Sequence, residues 1–209
     1  MDGWLARWAP LACLGLLFGL GFVWRTWLQS RRTGRSGVML FRSGRGAQNA
    51  REALLVLGFA LAAAEAVAAA FAPDWLARLG VVPGLDGTAP RAAGALVVLA
   101  ATALLVAAQL DLGASWRIGI EEGARPGLVT DGFYRFCRNP IYAFMVLALA
   151  GLVGLVPTWL SIALFAGGFA AVRSQATAEE AYLARTYGDE FRTYARRVGR
   201  FVPWLGRLP

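Results

Sequence analysis

At 209 residues, 57% hydrophobic and only 16% charged, the chain is too apolar for an ordinary water-soluble domain and is a membrane protein. Its net charge of +8 is carried by arginine with no lysine, in short loops between apolar runs, a pattern that argues against a nucleic-acid partner. The lack of histidine excludes imidazole bases and histidine-ligated haem or zinc, and the two well-separated cysteines, Cys13 and Cys137, exclude a disulfide framework or metal cluster.

The first eight residues hold one acid and one arginine, and no small-residue cleavage site follows, so the first apolar run reads as a retained anchor. Residues 9 to 28 are apolar apart from Arg25 and Thr26, long enough for the roughly 20 helical residues that cross a bilayer. A basic loop, Gln29 to Arg51, leads to a second span from Glu52 to Phe71, which stops at Pro73. A loop poor in charge, Asp74 to Pro90, precedes a third span, Ala92 to Leu110. Glu65 lies well inside span two, where an acid costs about 2.5–3.5 kcal/mol. It is expected to be protonated or paired through a structural hydrogen bond, without a site role.

The polar stretch Asp111 to Asn139 is followed by two short apolar runs, Pro140 to Val156 and Thr158 to Val172, which predict a tight helical hairpin hinged at Pro157. Between Ser174 and Arg197, Leu183, Tyr187, Phe191, Tyr194 and Val198 recur at spacings of three and four, opposite an arginine-rich face. Gly188 then Asp189 reads as a helix stop and a new start, giving two short helices lying on the membrane. The expected fold is all-α, with five transmembrane helices and an amphipathic C-terminal segment. It forms one domain over 1–209, with three N-terminal spans in 1–110 and a core in 111–203. Arginine-rich loops after spans one and three and in the tail place the C-terminus in the cytoplasm and the N-terminus outside, in a bacterial plasma membrane.

Three groups of residues are candidates for chemistry. Asn139-Pro140 fits a helix N-cap followed by proline at the first helical position, and Arg138 beside that positive helix end also fits an anion site. Glu179 and Glu180 fit first-turn acids of an amphipathic helix. They equally fit one carboxylate facing a pocket while its neighbour orients an arginine such as Arg173, with Tyr134, Tyr142 and Tyr187 offering faces to a cation. In Ser115 to Gly119, Trp116 with Arg117 fits an interface anchor with a snorkelling neighbour, or the border of a lipid-side entrance for an acceptor.

The segments Leu128 to Tyr134, Arg138-Asn-Pro-Ile-Tyr142, Glu179-Glu-Ala-Tyr-Leu183, Tyr187-Gly-Asp-Glu-Phe191, Tyr194 and Val198 to Pro203 together resemble the isoprenylcysteine carboxyl methyltransferase-like enzymes and the related phospholipid methyltransferases. The resemblance covers Trp116 to Pro203. It implies S-adenosylmethionine as methyl donor, held by Thr130, Gly132, Tyr134, Asn139, Pro140, Tyr142, Glu179, Glu180 and Leu183. It also implies a lipidic or isoprenoid acceptor; no metal is expected, from the lack of histidine and the two separated cysteines. Arg138 is assigned the catalytic role of orienting the acceptor's anionic group, and Trp116 and Arg117 the acceptor's entrance. Many such enzymes have histidine where Asn139 stands, and arginine where Gln175 stands. Asn cannot titrate, so its role is binding, and Arg173 is the candidate replacement for the missing arginine. A carboxylate acceptor needs no general base, which suits a chain without histidine. Phospholipid N-methylation, thiol S-methylation, an NADPH-dependent reductase related to sterol reductases, and a subunit that merely grips anionic lipid are the alternatives.

Overall fold

The computed structural model describes residues 3–42, 45–119 and 127–208, so the middle of the polar stretch, 120–126, lies outside the described residues. Helix is the only extended regular structure among them. Three helices are long and apolar enough to cross a membrane: α1 (Ala9–Thr33), α2 (Gly46–Phe71) and α3 (Thr88–Asp111). A shorter apolar helix, α4 (Pro140–Leu155), is followed by α5 (Trp159–Tyr187) and α6 (Asp189–Arg197). Pro73 opens a one-turn helix, Pro73–Ala77, as α2 ends.

The spans pack through small side chains, as helices surrounded by lipid do. The buried cluster between α1, α2 and α4 is rich in alanine, including Ala9, Ala62, Ala66 and Ala69. The most extensive interface joins α3 to α4, where Gly94 lies against Gly151 and Gly154. A Cβ on Gly94 would come within 2.6 Å of the Gly151 carbonyl, so any side chain there would push the helices apart. Within α1 the stretch Gly19–Trp24 is a π-helix, and the Gly21 carbonyl accepts from Gln109 Nε2 at 2.8 Å. Arg25 is fully buried and donates to the Gln109 and Gly113 carbonyls, a cation placed at the C-terminal end of α3.

Two features differ from the expected layout. The second arm of the hairpin does not end near Val172 but continues as a single 29-residue helix to Tyr187. Nothing in Arg173-Ser-Gln-Ala-Thr-Ala carries a glycine or proline that would stop it. The apolar arm is Trp159–Val172, and the remainder of α5 continues as a polar extension of the same helix. Glu179 and Glu180 are thus deep within a helix, and the first-turn reading is excluded. Gly188, at φ 55°, does end α5 and begin α6. The apolar stripe is covered by the chain itself rather than by the membrane: Phe191, Tyr194, Ala195 and Val198 pack with Leu128, Leu183 and Leu208.

Glu65 is held as expected. Its carboxylate accepts hydrogen bonds from the Thr158 hydroxyl and, at 2.9 Å, from the Ser161 hydroxyl, which pins α2 to the hairpin turn.

Candidate functional site

A cavity of about 540 Å³ opens between α1, α2, α3 and the start of α4, and is closed at one end by α5, α6 and the 115–119 segment. One end is polar, with Glu52, Arg117, Tyr134, Gln175 and Glu179 on its walls. The other is apolar, lined by Phe18, Phe22, Val56, Phe59 and Met145. Phe18, Val56 and Phe59 are also exposed on the outer surface of the helices, so the apolar end borders the region lipid occupies.

Behind the polar end the chain tail is clamped to α5. The Arg138 guanidinium donates through Nε and Nη2 to the two oxygens of Glu180, at 3.1 and 3.3 Å. Nη1 donates to the carbonyls of Ala195 and Val198, and Nη2 to that of Gly206 at 3.0 Å. Those bonds use all five N–H groups of the guanidinium. Glu180 also accepts from Asn139 Nδ2 at 2.8 Å and from Arg200 Nη2 at 2.8 Å. Main-chain bonds complete the joint, with Arg138 N–H donating to the Gly199 carbonyl and Asn139 N–H to that of Arg200. Gly199 is required here, because a Cβ would lie 2.0 Å from the Val202 carbonyl.

The expected roles change accordingly. Arg138 has no donor left for an acceptor's anion in this geometry. Asn139 occupies the N-cap position of α4, but its side chain turns to Glu180 and does not cap. The arginines that the pair orients, both through Glu180, are Arg138 and Arg200. Arg173 is exposed on α5 and does not stand in at the Gln175 position.

Glu179 faces the cavity. Its Oε1 accepts from Tyr142 Oη at 2.5 Å and from Gln175 Nε2 at 3.0 Å, and no donor among the described residues meets its second oxygen. Tyr134 is buried beside it, and burial first, then the nearby Glu179 charge, pushes its phenol well above the usual range. Tyr194 Oη donates to the Tyr134 carbonyl at 2.6 Å, and burial pushes the Tyr194 phenol up as well.

The opposite wall is the segment after α3. It is held by a short parallel pairing with the loop after α1, in which Met39 N–H donates to the Ile118 carbonyl and Ile118 N–H to that of Gly37. Trp116 is 2% exposed, with the Arg25 guanidinium 4.5 Å from its ring centre, so it is an inner wall and not a membrane-edge anchor. Arg117 lies 6.0 Å from the Tyr182 ring centre and lines the cavity without an acceptor among the described residues.

Of the sequence-predicted residues, Tyr134, Arg138, Asn139, Tyr142, Glu179, Glu180, Leu183, Trp116 and Arg117 come together around this cavity. Thr130, Gly132 and Pro140 do not reach it. Pro140 is the first residue of α4, and Gly132 forms a turn at φ 58° against Asp111, whose carboxylate accepts from Phe133 N–H at 2.8 Å. Sequence reasoning missed Gln48, Glu52, Asp111 and Arg200. Gln48 and Glu52 carried a signal, since two polar residues one helical turn apart at the edge of an apolar span need buried partners.

Residues 90–190 match the model of the phospholipid methyltransferase family. The chain is also similar to the protein-S-isoprenylcysteine O-methyltransferase of Schizosaccharomyces pombe, with 35% identity over 79 residues, 37% of this chain. That stretch spans about a third, 34%, of the length of the relative.

Proposed function

The chain belongs to the phospholipid methyltransferase family through residues 90–190, and from that premise we propose that it is an S-adenosylmethionine-dependent methyltransferase acting on a lipidic or isoprenoid acceptor within the membrane. The observation that carries this reading is a single cavity that is charged at one end and apolar at the other. The charged end fits the donor. Glu179 offers an oxygen without a donor among the described residues to an ammonium or sulfonium, and Tyr134 and Tyr142 offer aromatic faces. When bound, the donor would supply an electrophilic methyl group to the acceptor's lone pair, the sulfur–methyl bond breaking to leave S-adenosylhomocysteine.

The chain's own residues align and desolvate. Arg138, Asn139, Glu180 and Arg200 lock the tail over the cavity, which fixes α5 and Glu179 relative to α4. Phe18, Phe22 and Phe59 give a lipid chain an apolar bed, with the acceptor atom directed toward the Glu179 end. A carboxylate acceptor is already nucleophilic, in accord with a chain without histidine. Arg117 takes the orienting role first assigned to Arg138. Amine and thiol acceptors stay as alternatives, while the reductase reading has no support among the family matches. The layout we propose has five spans in one domain, with the N-terminus outside and the cavity's charged end at the cytoplasmic face.

Calorimetry on the purified protein is expected to detect S-adenosylhomocysteine. Incubation with radiolabelled donor and a membrane lipid extract is expected to label a lipid-soluble product. No binding of S-adenosylhomocysteine by folded protein overturns the proposal.

A further inference from the structure

Between α2 and α5 runs a buried chain of side chains whose hydrogen bonds all point the same way. Arg51 donates through Nε and Nη2 to Gln48 Oε1 at 3.2 and 2.9 Å. Gln48 Nε2 donates to Gln175 Oε1 at 3.0 Å and to Glu52 Oε1 at 2.8 Å. Gln175 Nε2 then donates to Glu179 Oε1. Gln48, Glu52 and Gln175 are each no more than 2% exposed. The guanidinium of Arg51 fixes which end of the Gln48 amide faces inward, since a flipped amide would oppose donor to donor. That in turn fixes Gln175, and Gln175 fixes the oxygen of Glu179 that Tyr142 also holds. The other oxygen is left aimed at the cavity.

Glu52 anchors the relay at a second point. Its Oε2 accepts from Phe41 N–H at 2.5 Å, in the loop that pairs with the Arg117 segment. Gly119 passes so close that a Cβ there would lie 3.2 Å from Glu52 Oε1. A polar network this deep is rigid when every member is satisfied and costly when one is not. Gln48, Arg51 and Glu52 all precede the stretch that matches the family.

We propose that Gln48, anchored by Arg51 and Glu52, is a positioning residue for the donor pocket, holding Glu179 in register through Gln175 from the N-terminal half of the chain. The inference rests on the reading of Glu179 as a wall of that pocket.

The test uses the full chain in detergent, with S-adenosylhomocysteine as probe. Gln48→Leu removes the relay, while Gln48→Glu keeps the volume and the acceptor for Arg51 but cannot donate to Gln175. Both are expected to weaken probe binding about tenfold, the loss of one oriented contact to a charged group. The donor KM is expected to rise by the same factor, with kcat changed less than twofold. Arg51→Met, at the half-buried start of the relay, is expected to weaken binding about threefold, a smaller share of the same contact. A purely structural role lowers the melting temperature without moving the affinity of the folded fraction. Wild-type affinity in a cooperatively melting Gln48→Glu protein overturns the proposal, and if that variant does not fold, wild-type affinity in Arg51→Met does so. A wild-type protein that does not bind the probe instead overturns the methyltransferase reading on which the relay rests.

Discussion

Glu179 and Glu180 are consecutive on α5, about 100° apart around the helix, and the two sides of that helix treat them in opposite ways. On the tail side, burial works against the charge of Glu180, but hydrogen bonds and ion pairing with Arg200 and Arg138 outweigh it and hold the carboxyl below its ordinary value. On the cavity side, burial pushes the Glu179 carboxyl above its ordinary value, and the hydrogen bonds from Tyr142 and Gln175 offset only part of that. Glu180 is a charge whose demand is met inside the protein. Glu179 keeps an unmet demand, and a cationic ligand in the cavity would satisfy it. Identical residues side by side are thus divided between holding the fold and meeting the ligand by what the opposite chain segments supply.

Glu180→Ala gives the sharpest test of that division. It strands two buried or half-buried guanidiniums, and removing one partner of a buried pair costs about 3–5 kcal/mol. Thermal unfolding in detergent is expected to show that loss, and a wild-type melting temperature breaks the assignment of Glu180 to the tail clamp. Glu179→Ala is expected to do the reverse. Stability falls by less than in Glu180→Ala, by about 1–3 kcal/mol, because the Tyr142 and Gln175 donors lose their acceptor. Affinity for S-adenosylhomocysteine falls about 10- to 100-fold, as befits a charge-assisted contact worth about 1.5–3 kcal/mol. If the two variants exchange these signatures, the cavity and tail sides have been assigned the wrong way round.

The same contrast extends to the glycines. Gly132 supports the polar rim from outside the cavity, at φ 58° and with Asp111 Oδ2 only 2.1 Å from where a Cβ would sit. Gly132→Ala is expected to cost more than about 1–2 kcal/mol, from the left-handed backbone alone, before any movement of Asp111. Unfolding is expected to report that loss while the probe's affinity stays within twofold of wild type. A large affinity change with unchanged melting would place Gly132 in the pocket, where the sequence first put it.

Much of this was legible because it depends on local rules. The apolar runs gave the three long spans to within a few residues at most ends, Pro140 and Gly188 marked a helix start and stop, and Glu65 announced its need for hydroxyl partners. The ordered motifs gathered most of the cavity's residues. What stayed hidden depends on pairing across long separations. Arg138 looked available because three of its five acceptors are carbonyls of a tail some 60 residues further on, and carbonyls leave no mark in a sequence. Trp116 looked like a membrane anchor because its stacking partner, Arg25, lies on another span. The boundary drawn near Val172 failed for a different reason: a change from apolar to polar residues marks the membrane's edge, not the end of a helix.

The smallest expected effect lies where the tail joins the hairpin. Cys137 pairs with Gly199 in a short parallel bridge, is buried, and follows a turn that the Tyr194 hydroxyl ties down. Burial pushes its thiol up from 9.0 to about 11, with a backbone hydrogen bond at Asn139 and the Arg138 charge pulling slightly the other way. The thiolate is the reactive form, so at a given pH near neutrality the reactive fraction of Cys137 is about a hundredfold smaller than that of an ordinary thiol, and alkylation slows in proportion before any steric protection. Iodoacetamide is therefore expected to leave Cys137 of the folded protein unlabelled on the timescale that labels it after unfolding. In Glu180→Ala, where the clamp over the tail is broken, labelling is expected to accelerate at temperatures well below the global melt. Equal protection in that variant and the wild type would mean that the tail stays seated without the Glu180 ion pairs, leaving Gly199 and its main-chain bonds as the element that closes this side of the molecule.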